Sequence, residues 1–359
     1  MRNCKNVLHY IFGQGSFNQV ESFVTRKRNA ENKSIIYCLD HYFKNNGLAN
    51  RLPLSDWDQV IYVDTSKEPF TPYINTIVKG LREEQRLKPG AVVGIGGGST
   101  LDTAKAVSIL LTNTGWAEDY QGWDLVKNPG LYMIGIPSIS GTGAESSRTC
   151  VMINPERGIK LGMNSDYSVF DQLILDPELT STVPRNQYFY TGLDTYIHCL
   201  ESLNGRYRNA IGDAFSQQAM LLSKEVFLSE DMLSEENRAK LMVASYLGGC
   251  AIASSYVGVV HPFSAGLGVV LGIHHGLANC LVMTVMDEFY PKEVEIFWEM
   301  VEEQQVEIPR GLFKNLTETQ YDKLYNSIIV HEKPLANALG DNFRDILTKE
   351  KVVKIFMAM

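Results

Sequence analysis

Short apolar runs alternate with helical patterns through the first half of this 359-residue chain. Four runs have the length and composition of strands: SIIYCL (34–39), QVIYVD (59–64), AVVGIGG (91–97) and LYMIGIP (131–137). Strands that alternate with helices are typical of an α/β fold in which helices cover both faces of a parallel sheet. We therefore predict a doubly wound α/β domain for this half of the chain.

The second half of the chain is helical in pattern. Apolar residues recur at helical spacing over 187–203, 210–228 and 235–256, and shorter helical pieces continue to the end of the chain. Two prolines frame a polar connection near 176–184, so we predict two domains, 1–178 and 179–359. The last eighty or so residues are expected to form amphipathic helices whose charged faces lie in solvent.

One stretch is long enough to suggest a membrane span. Residues 241–286 contain no Asp, Glu, Lys or Arg. Seven glycines, a proline and three histidines interrupt this stretch, and they break its smooth apolar segments before roughly twenty residues. We therefore expect buried helices around a metal centre, and no membrane partner.

Composition narrows the function further. A net charge of −8 argues against nucleic acid, which needs a basic surface. Six scattered cysteines without a CxxC pair are typical of reduced thiols. The first residues, MRNCKNVLHYIF, lack the apolar core and cleavage site of a signal peptide. We therefore expect a cytoplasmic protein.

Four residues have the types and spacing of a divalent-metal site. Asp194 and His198 lie four residues apart in a helical pattern, so both side chains leave one face of the helix. His261 and His275 flank the glycine-rich run SAGLGVVLG. One carboxylate and three imidazoles suit Zn(II) or Fe(II). His274 is given no ligand role, because the side chains of adjacent residues usually point apart.

A glycine turn follows the third predicted strand. Gly96, Gly97 and Gly98 leave the backbone bare, and Ser99 is predicted to be the N-cap of a helix that runs to Leu111. Bare amides at a helix N-terminus can bind a phosphate or pyrophosphate, although packing alone could also explain such a turn. Asp102, one turn into this helix, is assigned to the same cofactor site.

Asp40 ends the first predicted strand, where its carboxylate could accept hydrogen bonds from the adenosine ribose of a dinucleotide. The same negative charge would repel a 2′-phosphate, so the sequence favours NAD over NADP. A turn residue at the end of a strand would also explain this aspartate.

Together, these motifs resemble the iron-containing, or group III, alcohol dehydrogenases. The resemblance is carried, in order, by GGGSTLDTAK (96–105), PSISGTGAE (137–145), LDP (175–177), TGLDTYIHCLE (191–201) and the pair formed by His261 and His275–Gly276. It extends from FGQGS at Phe12 to about Gly276. It implies a Rossmann-like N-terminal domain, an all-α C-terminal domain, and NAD(P) and metal in the cleft between them.

The resemblance also implies further site residues and a dimer. Ser138 and Thr142 match family positions that contact phosphate or nicotinamide, and Lys160 matches a lysine near the nicotinamide. Some family members carry a histidine, a possible proton relay, four residues after the position of His261. Here that position is Ala265. His274, beside the predicted ligand His275, is an alternative relay, but the side chains of adjacent residues usually point apart, which leaves the proton path open.

The expected reaction is oxidation of an alcohol to an aldehyde or ketone, with hydride transfer to NAD(P). Arg206 and Arg208 follow the metal helix and would suit an anionic small molecule. That segment resembles the branch of the family that oxidises the C8 hydroxyl of the sugar acid 3-deoxy-D-manno-octulosonate (Kdo), in the making of the 8-amino sugar of some lipopolysaccharides.

Other functions stay open at this point. A dehydrogenase of small alcohols or diols fits the same motifs, and an oxidase that reoxidises a tightly held cofactor with oxygen is not excluded. A cyclase similar to dehydroquinate synthase would share fold, metal and NAD, but it would recycle its cofactor. A non-catalytic sensor is disfavoured because the ligand set and the cofactor turn are both intact.

Overall fold

The first half of the chain is built on a parallel sheet. A computed structural model of the protein describes residues 4–84 and 88–359. Within them the strands are β1 His9–Phe12, β2 Ser34–Asp40, β3 Gln59–Val63, β4 Pro89–Gly96, β5 Gly122–Trp123, β6 Tyr132–Pro137, β7 Thr149–Asn154, β8 Ile159–Asn164 and β9 Gln172–Leu175. Six of these strands form the main sheet, in the order β1-β9-β6-β4-β2-β3, and every pairing is parallel.

The helices in the same residues are α1 Val20–Thr25, α2 Thr71–Glu83, α3 Gly98–Thr112, α4 Arg185–Asn204, α5 Ala210–Phe227, α6 Glu235–Ser255, α7 Val260–Leu271, α8 His275–Met283, α9 Pro291–Gln304, α10 Glu318–Ile329, α11 Glu332–Leu339, α12 Phe343–Ile346 and α13 Lys349–Ala358. Only α1 to α3 precede the last strand, so the second half is helical, as predicted. The division into domains 1–178 and 179–359 stays a prediction.

Apolar residues cover both faces of the main sheet. In β2, Ile36 and Cys38 belong to one buried cluster, and Ile35 and Leu39 belong to another. Successive side chains of a strand point to opposite faces, so a strand that is buried on both faces reads as a continuous apolar run. The predicted α/β fold is therefore confirmed.

A small second sheet was not predicted. Strand β8 pairs antiparallel with β7 and parallel with β5. Its strands are short and mix polar with apolar residues, so no apolar run marked them. This sheet carries Lys160 and Trp123 and thereby places both residues near the helical half of the chain.

The helical half surrounds α4, which is buried over most of its length. Helices α5, α6 and α8 all contact α4. Among the described residues, no single helix is both long and apolar enough to cross a membrane. Helices α6 and α7 meet that test only as a pair, and this pair is bent by 105°.

One expectation about local structure is corrected. Helix α3 begins at Gly98 with Gly97 as its N-cap, so Ser99 lies inside the first turn and is not the cap. The backbone of Gly97 is extended and its carbonyl accepts bonds from the amides of Thr100 and Leu101, a role that needs no side chain. The C-terminal helices bury apolar residues in the main helical core and expose most of their charged residues, as their amphipathic pattern predicts.

Candidate metal and cofactor site

One face of α4 carries three residues of the candidate metal site. Asp194, His198 and Glu201 are separated by four and three residues, so they lie one above another on the helix. Asp194 is fully buried, and the other two side chains are nearly so. The helix is fixed to the α/β half through Thr195, whose Oγ1 donates to the carbonyl of Gly141 at 2.8 Å.

The predicted quartet is brought together around the carboxylate of Asp194. Its Oδ1 lies 3.1 Å from His261 Nε2 and 3.4 Å from His198 Nε2. Its Oδ2 lies 3.4 Å from His275 Nε2. The rings of His198 and His261 stack at 4.6 Å between centroids, and those of His261 and His275 lie 5.4 Å apart.

Glu201 holds His261 in place. One carboxylate oxygen, Oε2, contacts Nδ1 of His261, and the other accepts the backbone amide of Val260 at 2.5 Å. With its Nδ1 proton directed to Glu201, the ring keeps Nε2, which faces Asp194, as the nitrogen that a metal can bind in place of a proton. Glu201 therefore selects the tautomer that can bind a metal.

Asn279 completes the surroundings of Asp194. It lies one turn after His275 on α8, and its Nδ2 donates to Asp194 Oδ1 at 2.7 Å. The same nitrogen is 3.3 Å from His275 Nε2. Neither Asn279 nor Glu201 was predicted from the sequence to have a role in the site. For Glu201, the signal was its spacing of seven residues from Asp194, which repeats the face of the helix.

The protonation of this cluster suits a cation. Burial lowers the pKa of His198 to about 4, and burial followed by the charge of Lys160 lowers that of His275 to about 3. Both rings are therefore neutral at pH 7. Burial opposes ionisation of Asp194, but the histidines around it hold its pKa below the ordinary value.

The chemistry of the donor set fits one divalent metal ion. Ligand atoms of Asp194, His261 and His275 all lie within 4.8 Å of one another, and His198 offers a fourth nitrogen beside the same carboxylate. Asp194 Oδ2 is buried without a hydrogen-bond partner among the described residues. A buried carboxylate oxygen of this kind is costly unless a cation or donor meets it. His274 is exposed and caps α8.

Several of the residues predicted to bind the cofactor meet at the carboxyl end of the main sheet. Strands β2, β4 and β6 lie side by side, so Asp40, the glycine turn and Ser138 come together where those strands end. The amide of Ser138 donates to the carbonyl of Gly96 at 3.0 Å. Asp40 accepts the Thr65 hydroxyl at 3.1 Å and the Tyr42 amide at 3.0 Å, so it also shapes the turn after β2.

Packing accounts for part of the glycine turn. A Cβ on Gly97 would stand 2.8 Å from Cγ2 of Ile139, and a Cβ on Gly98 would stand 3.0 Å from Oγ1 of Thr142. Thr142 therefore lies against the turn, as its assignment to the cofactor site requires. The amides of Gly98 and Ser99 belong to the first turn of α3, where no intrahelical carbonyl can accept them.

The two glycines of the GTG segment (141–143) are required by close contact with the helical half of the chain. Gly141 has φ +143°, and a Cβ there would stand 1.7 Å from the carbonyl oxygen of Thr191. A Cβ on Gly143, with φ +61°, would stand 2.6 Å from Cα of Gly249. The hydroxyl of Ser245 accepts the amides of both glycines. The loop thus joins the cofactor edge of the sheet to α4 and α6.

Lys160 forms a buried ion pair beside the metal cluster, defined here as the side chains of Asp194, His198, His261 and His275. Its ammonium lies 2.5 Å from Glu68 Oε2, and both side chains are about nine-tenths buried. Burial opposes ionisation of Glu68, but the charge of Lys160 holds its pKa below the ordinary value. The pair lies against α7, because a Cβ on Gly268 would stand 3.3 Å from Glu68 Oε2.

Asp102 is engaged with the protein itself. Its Oδ2 accepts the amide of Val151 at 2.9 Å, which ties α3 to β7. Burial raises the pKa of Asp102 to about 6, although Lys105 opposes this. Its assignment to the cofactor stays a prediction, and the contact seen here is structural.

Arg206 and Arg208 lie at the surface and pair with acidic residues. Arg206 Nη1 is 2.9 Å from Asp341 Oδ1, and Arg208 Nη2 is 2.9 Å from Asp213 Oδ2. About half of each arginine side chain is exposed. A role in binding substrate would require them to exchange these partners.

An aromatic wall, defined here as Trp123, Tyr256 and Tyr207, lies near the end of α4. The Trp123 and Tyr256 rings are 5.1 Å apart, and the Tyr256 and Tyr207 rings 5.5 Å. Lys333 Nζ lies 3.9 Å from the Trp123 centroid. The carbonyl of Tyr256 accepts the hydroxyl of Ser202, the neighbour of Glu201. Tyr256 has φ 64° and ψ 168°, a strained conformation for a bulky residue.

Comparisons with known proteins agree with this architecture. The profile of iron-containing alcohol dehydrogenases matches residues 8–177, and that of the C-terminal part of the same family matches 188–328. A 1-propanol dehydrogenase of Salmonella typhimurium is 32% identical over 77% of this chain and 70% of its own length. A sulfoacetaldehyde reductase of Bilophila wadsworthia is 36% identical over 61% of this chain, and the matched part spans 56% of that protein.

A solved structure extends the comparison to nearly the whole chain. The sulfoacetaldehyde reductase of Bifidobacterium kashiwanohense, solved in complex with NAD⁺, is 22% identical and superposes with a TM-score of 0.77, covering 99% of this chain and 98% of that one. This likeness shows the shared fold.

The chain therefore belongs to the iron-containing alcohol dehydrogenase family. It is an enzyme that acts on CH–OH groups, and Asp194, His261 and His275 form a possible site for a metal ion. The family assignment made from the ordered motifs is confirmed.

Proposed function

We propose that the protein interconverts an alcohol and its aldehyde or ketone in the cleft where the metal cluster faces the cofactor edge of the sheet. The observation that carries this proposal is the convergence of Asp194, His198, His261 and His275 on one point. When bound, the metal polarises the substrate oxygen and the nicotinamide exchanges hydride with the substrate carbon.

The residues of the chain orient the two cofactors. We propose that Asp194 and the three histidines hold the metal, with Glu201 fixing the ring of His261. The amides of Gly97, Gly98 and Ser99 would bind the pyrophosphate, beside Ser138 and Thr142. Asp40 would bind the adenosine ribose, and Lys160 would lie on the nicotinamide side of the cleft. Asp102 would support the helix that carries the pyrophosphate site.

For the substrate, we propose a polyhydroxylated acid, with the terminal C8 hydroxyl of Kdo as first candidate. The aromatic wall and Lys333 support this choice. An aromatic face offers a flat surface for a sugar ring, and an ammonium group beside it could meet a carboxylate. Arg206 and Arg208 are further candidates for the carboxylate. One relative bears the name of a reductase of an anionic aldehyde, sulfoacetaldehyde.

A dehydrogenase of small alcohols is the second candidate, favoured by the 1-propanol dehydrogenase relative. The test is a screen of Kdo, other sugar acids and small alcohols with the Fe(II) and Zn(II) forms, with NADH formation as the measurement. We expect Kdo to be oxidised with a higher kcat/KM than propanol or propanediol. Efficient oxidation of simple alcohols with Kdo untouched at millimolar concentration would refute the sugar-acid proposal and leave the dehydrogenase.

Substitutions identify the anion-binding residue in the same assay. Charge-assisted contacts contribute roughly 1.5–3 kcal/mol, so loss of the true contact should weaken catalysis on Kdo about ten- to a hundredfold. Arg206→Ala, Arg208→Ala and Lys333→Ala are compared, with propanediol as the neutral control. Oxygen consumption without net NADH would indicate an oxidase, and product without either would indicate a cyclase. A cytoplasmic location and a homodimer complete the proposal.

A further inference from the structure

His331, a histidine of the C-terminal helices, lies outside the predicted metal and cofactor residues. It directly precedes α11, and its backbone amide donates to the carbonyl of Ile328 at 3.0 Å, at the end of α10. Helices α10 and α11 both contact α7, the helix that carries His261. At the crossing, a Cβ on Gly266 would stand 2.9 Å from Oγ of Ser327, so α10 approaches α7 closely.

The ring nitrogen of His331 is buried and unused. Its Nε2 is shielded from solvent and has no hydrogen-bond partner among the described residues. Buried polar atoms are normally paired, because leaving one unpaired costs free energy. An exception of this kind needs a reason, and a bound ligand that supplies the missing partner is one.

The packing of α11 places His331 near the loop that leads into α7 and His261. Asn337 of α11 donates to the carbonyls of Ser255 and Val257 at 3.0 Å, and a Cβ on Gly258 would stand 3.1 Å from Glu201 Oε1 and 3.3 Å from Cβ of Ala338. In agreement with this position, burial and then the charges of Lys160 and His261 lower the pKa of His331 to about 4. Lys160 belongs to the α/β half, and His261 belongs to the metal cluster. The ring is therefore neutral at pH 7, and its Nε2 can either donate or accept a hydrogen bond.

The neighbouring position on α7 offers no polar group. Ala265 lies one turn after His261 on the same face and ends in a methyl group that is almost fully buried. A polar group that meets a substrate oxygen near Ala265 must therefore come from another element.

We propose that His331 is a substrate-binding residue whose Nε2 forms a hydrogen bond with an oxygen atom of the bound substrate beside the metal cluster. This proposal rests on the proposed function, because it needs a substrate in the same cleft. It gives the C-terminal helices a direct part in substrate binding. Their amphipathic sequence pattern predicted packing and a solvated charged face, but no such part.

The test compares His331→Leu, which removes both ring nitrogens, with His331→Gln, which keeps a polar side-chain nitrogen. On the best substrate of the wild-type enzyme, we expect His331→Leu to lower kcat/KM at least tenfold and His331→Gln to stay within a few-fold of wild type. Metal content and the Kd for NAD should not change in either variant. The exposed His9 on β1 gives a matched control, His9→Leu.

Two further readouts separate binding from structure. Calorimetric titration of the NAD⁺ complex of each variant with the aldehyde product, a pair that cannot exchange hydride, should show weaker binding only for His331→Leu. The thermal midpoint of His331→Leu should equal or exceed that of wild type, because an unpaired polar group has been removed. Unchanged kcat/KM and product binding in His331→Leu would overturn the proposal, and so would losses that merely follow loss of metal or stability. Absence of turnover by the wild type would instead refute the proposed function.

Discussion

The carboxylate of Glu201 binds both Nδ1 of His261 and the backbone amide of the preceding residue, Val260. Burial opposes a charge on His261, but Glu201 raises the pKa of its ring to about 9. A more basic ring is a stronger ligand once the metal displaces the proton on Nε2. Glu201 is thus a positioning residue for the metal, through His261.

Replacing Glu201 with glutamine should weaken the metal site without removing it. The side-chain amide of the Glu201→Gln variant would donate to Nδ1 of His261 and leave the proton of the neutral ring on Nε2, which is the wrong tautomer for binding metal. We expect the affinity for metal to fall about ten- to a hundredfold. Competition with a chelator measures this, and the exposed Glu302→Gln is the control. Equal affinity in the two variants would show that Glu201 does not orient the ligand.

The role of the glycine turn in binding NAD can be tested once the contact between a side chain at position 97 and Ile139 is relieved. Gly97→Val should raise the Kd for NAD at least tenfold, or about 1.4 kcal/mol or more, if the side chain meets the pyrophosphate. Because the new Cβ also meets Ile139, Gly97→Ala is made alone and with Ile139→Ala. The double variant should regain thermal stability yet still bind NAD weakly. Recovery of NAD affinity along with stability would assign the glycine to packing alone.

Asp40 should set the choice between the two nicotinamide cofactors. Its carboxylate lies where β2 ends, beside the glycine turn, and would repel the 2′-phosphate of NADP. Asp40→Ala should therefore lower the ratio of kcat/KM with NAD to that with NADP. Steady-state kinetics with both cofactors measure the ratio. Because Asp40 also caps the following turn, Asp40→Asn is a second variant that keeps an acceptor for Tyr42. An unchanged ratio in both variants would remove Asp40 from the ribose site.

Asp102 should make stability depend on pH. Its folded pKa, about 6, is above the unfolded value, so the folded protein holds the proton more tightly. This contribution favours folding at low pH and is lost as pH rises through 6. Between pH 5 and pH 7.5, the free energy of unfolding of wild type should fall by about 1.4 kcal/mol relative to Asp102→Asn. Chemical denaturation at both pH values measures the difference, and a constant difference would contradict it.

Four strands of the main sheet, β2, β3, β4 and β6, could be predicted from sequence because they stand out as apolar runs. The edge strand β1 and its neighbour β9 have four residues each and were not predicted. The metal quartet was also predictable, because Asp194 and His198 occupy one helical face and His261 and His275 stand in a charge-free segment. The three predicted helices 187–203, 210–228 and 235–256 differ from α4, α5 and α6 by at most two residues at either end. These helices could be predicted because the periodic spacing of apolar residues is a local property of the sequence.

What could not be predicted depends on contacts between distant segments. The pairing of Glu68 with Lys160 joins a loop before α2 to β8, and neither residue has a distinctive spacing. The aromatic wall joins β5 to the end of α6. Arg206 and Arg208 were chosen for their closeness in sequence to the metal helix, but the chain turns after Asn204 and leads them to surface ion pairs.

The central claim is that Asp194, His198, His261 and His275 hold one divalent metal ion. The most direct test is the metal content of purified His275→Ala beside His274→Ala, which removes the exposed neighbouring histidine. We predict that His275→Ala loses metal and activity together while its circular dichroism spectrum is preserved, and that His274→Ala keeps one metal ion per chain. A full complement of metal in folded His275→Ala protein would contradict the assignment.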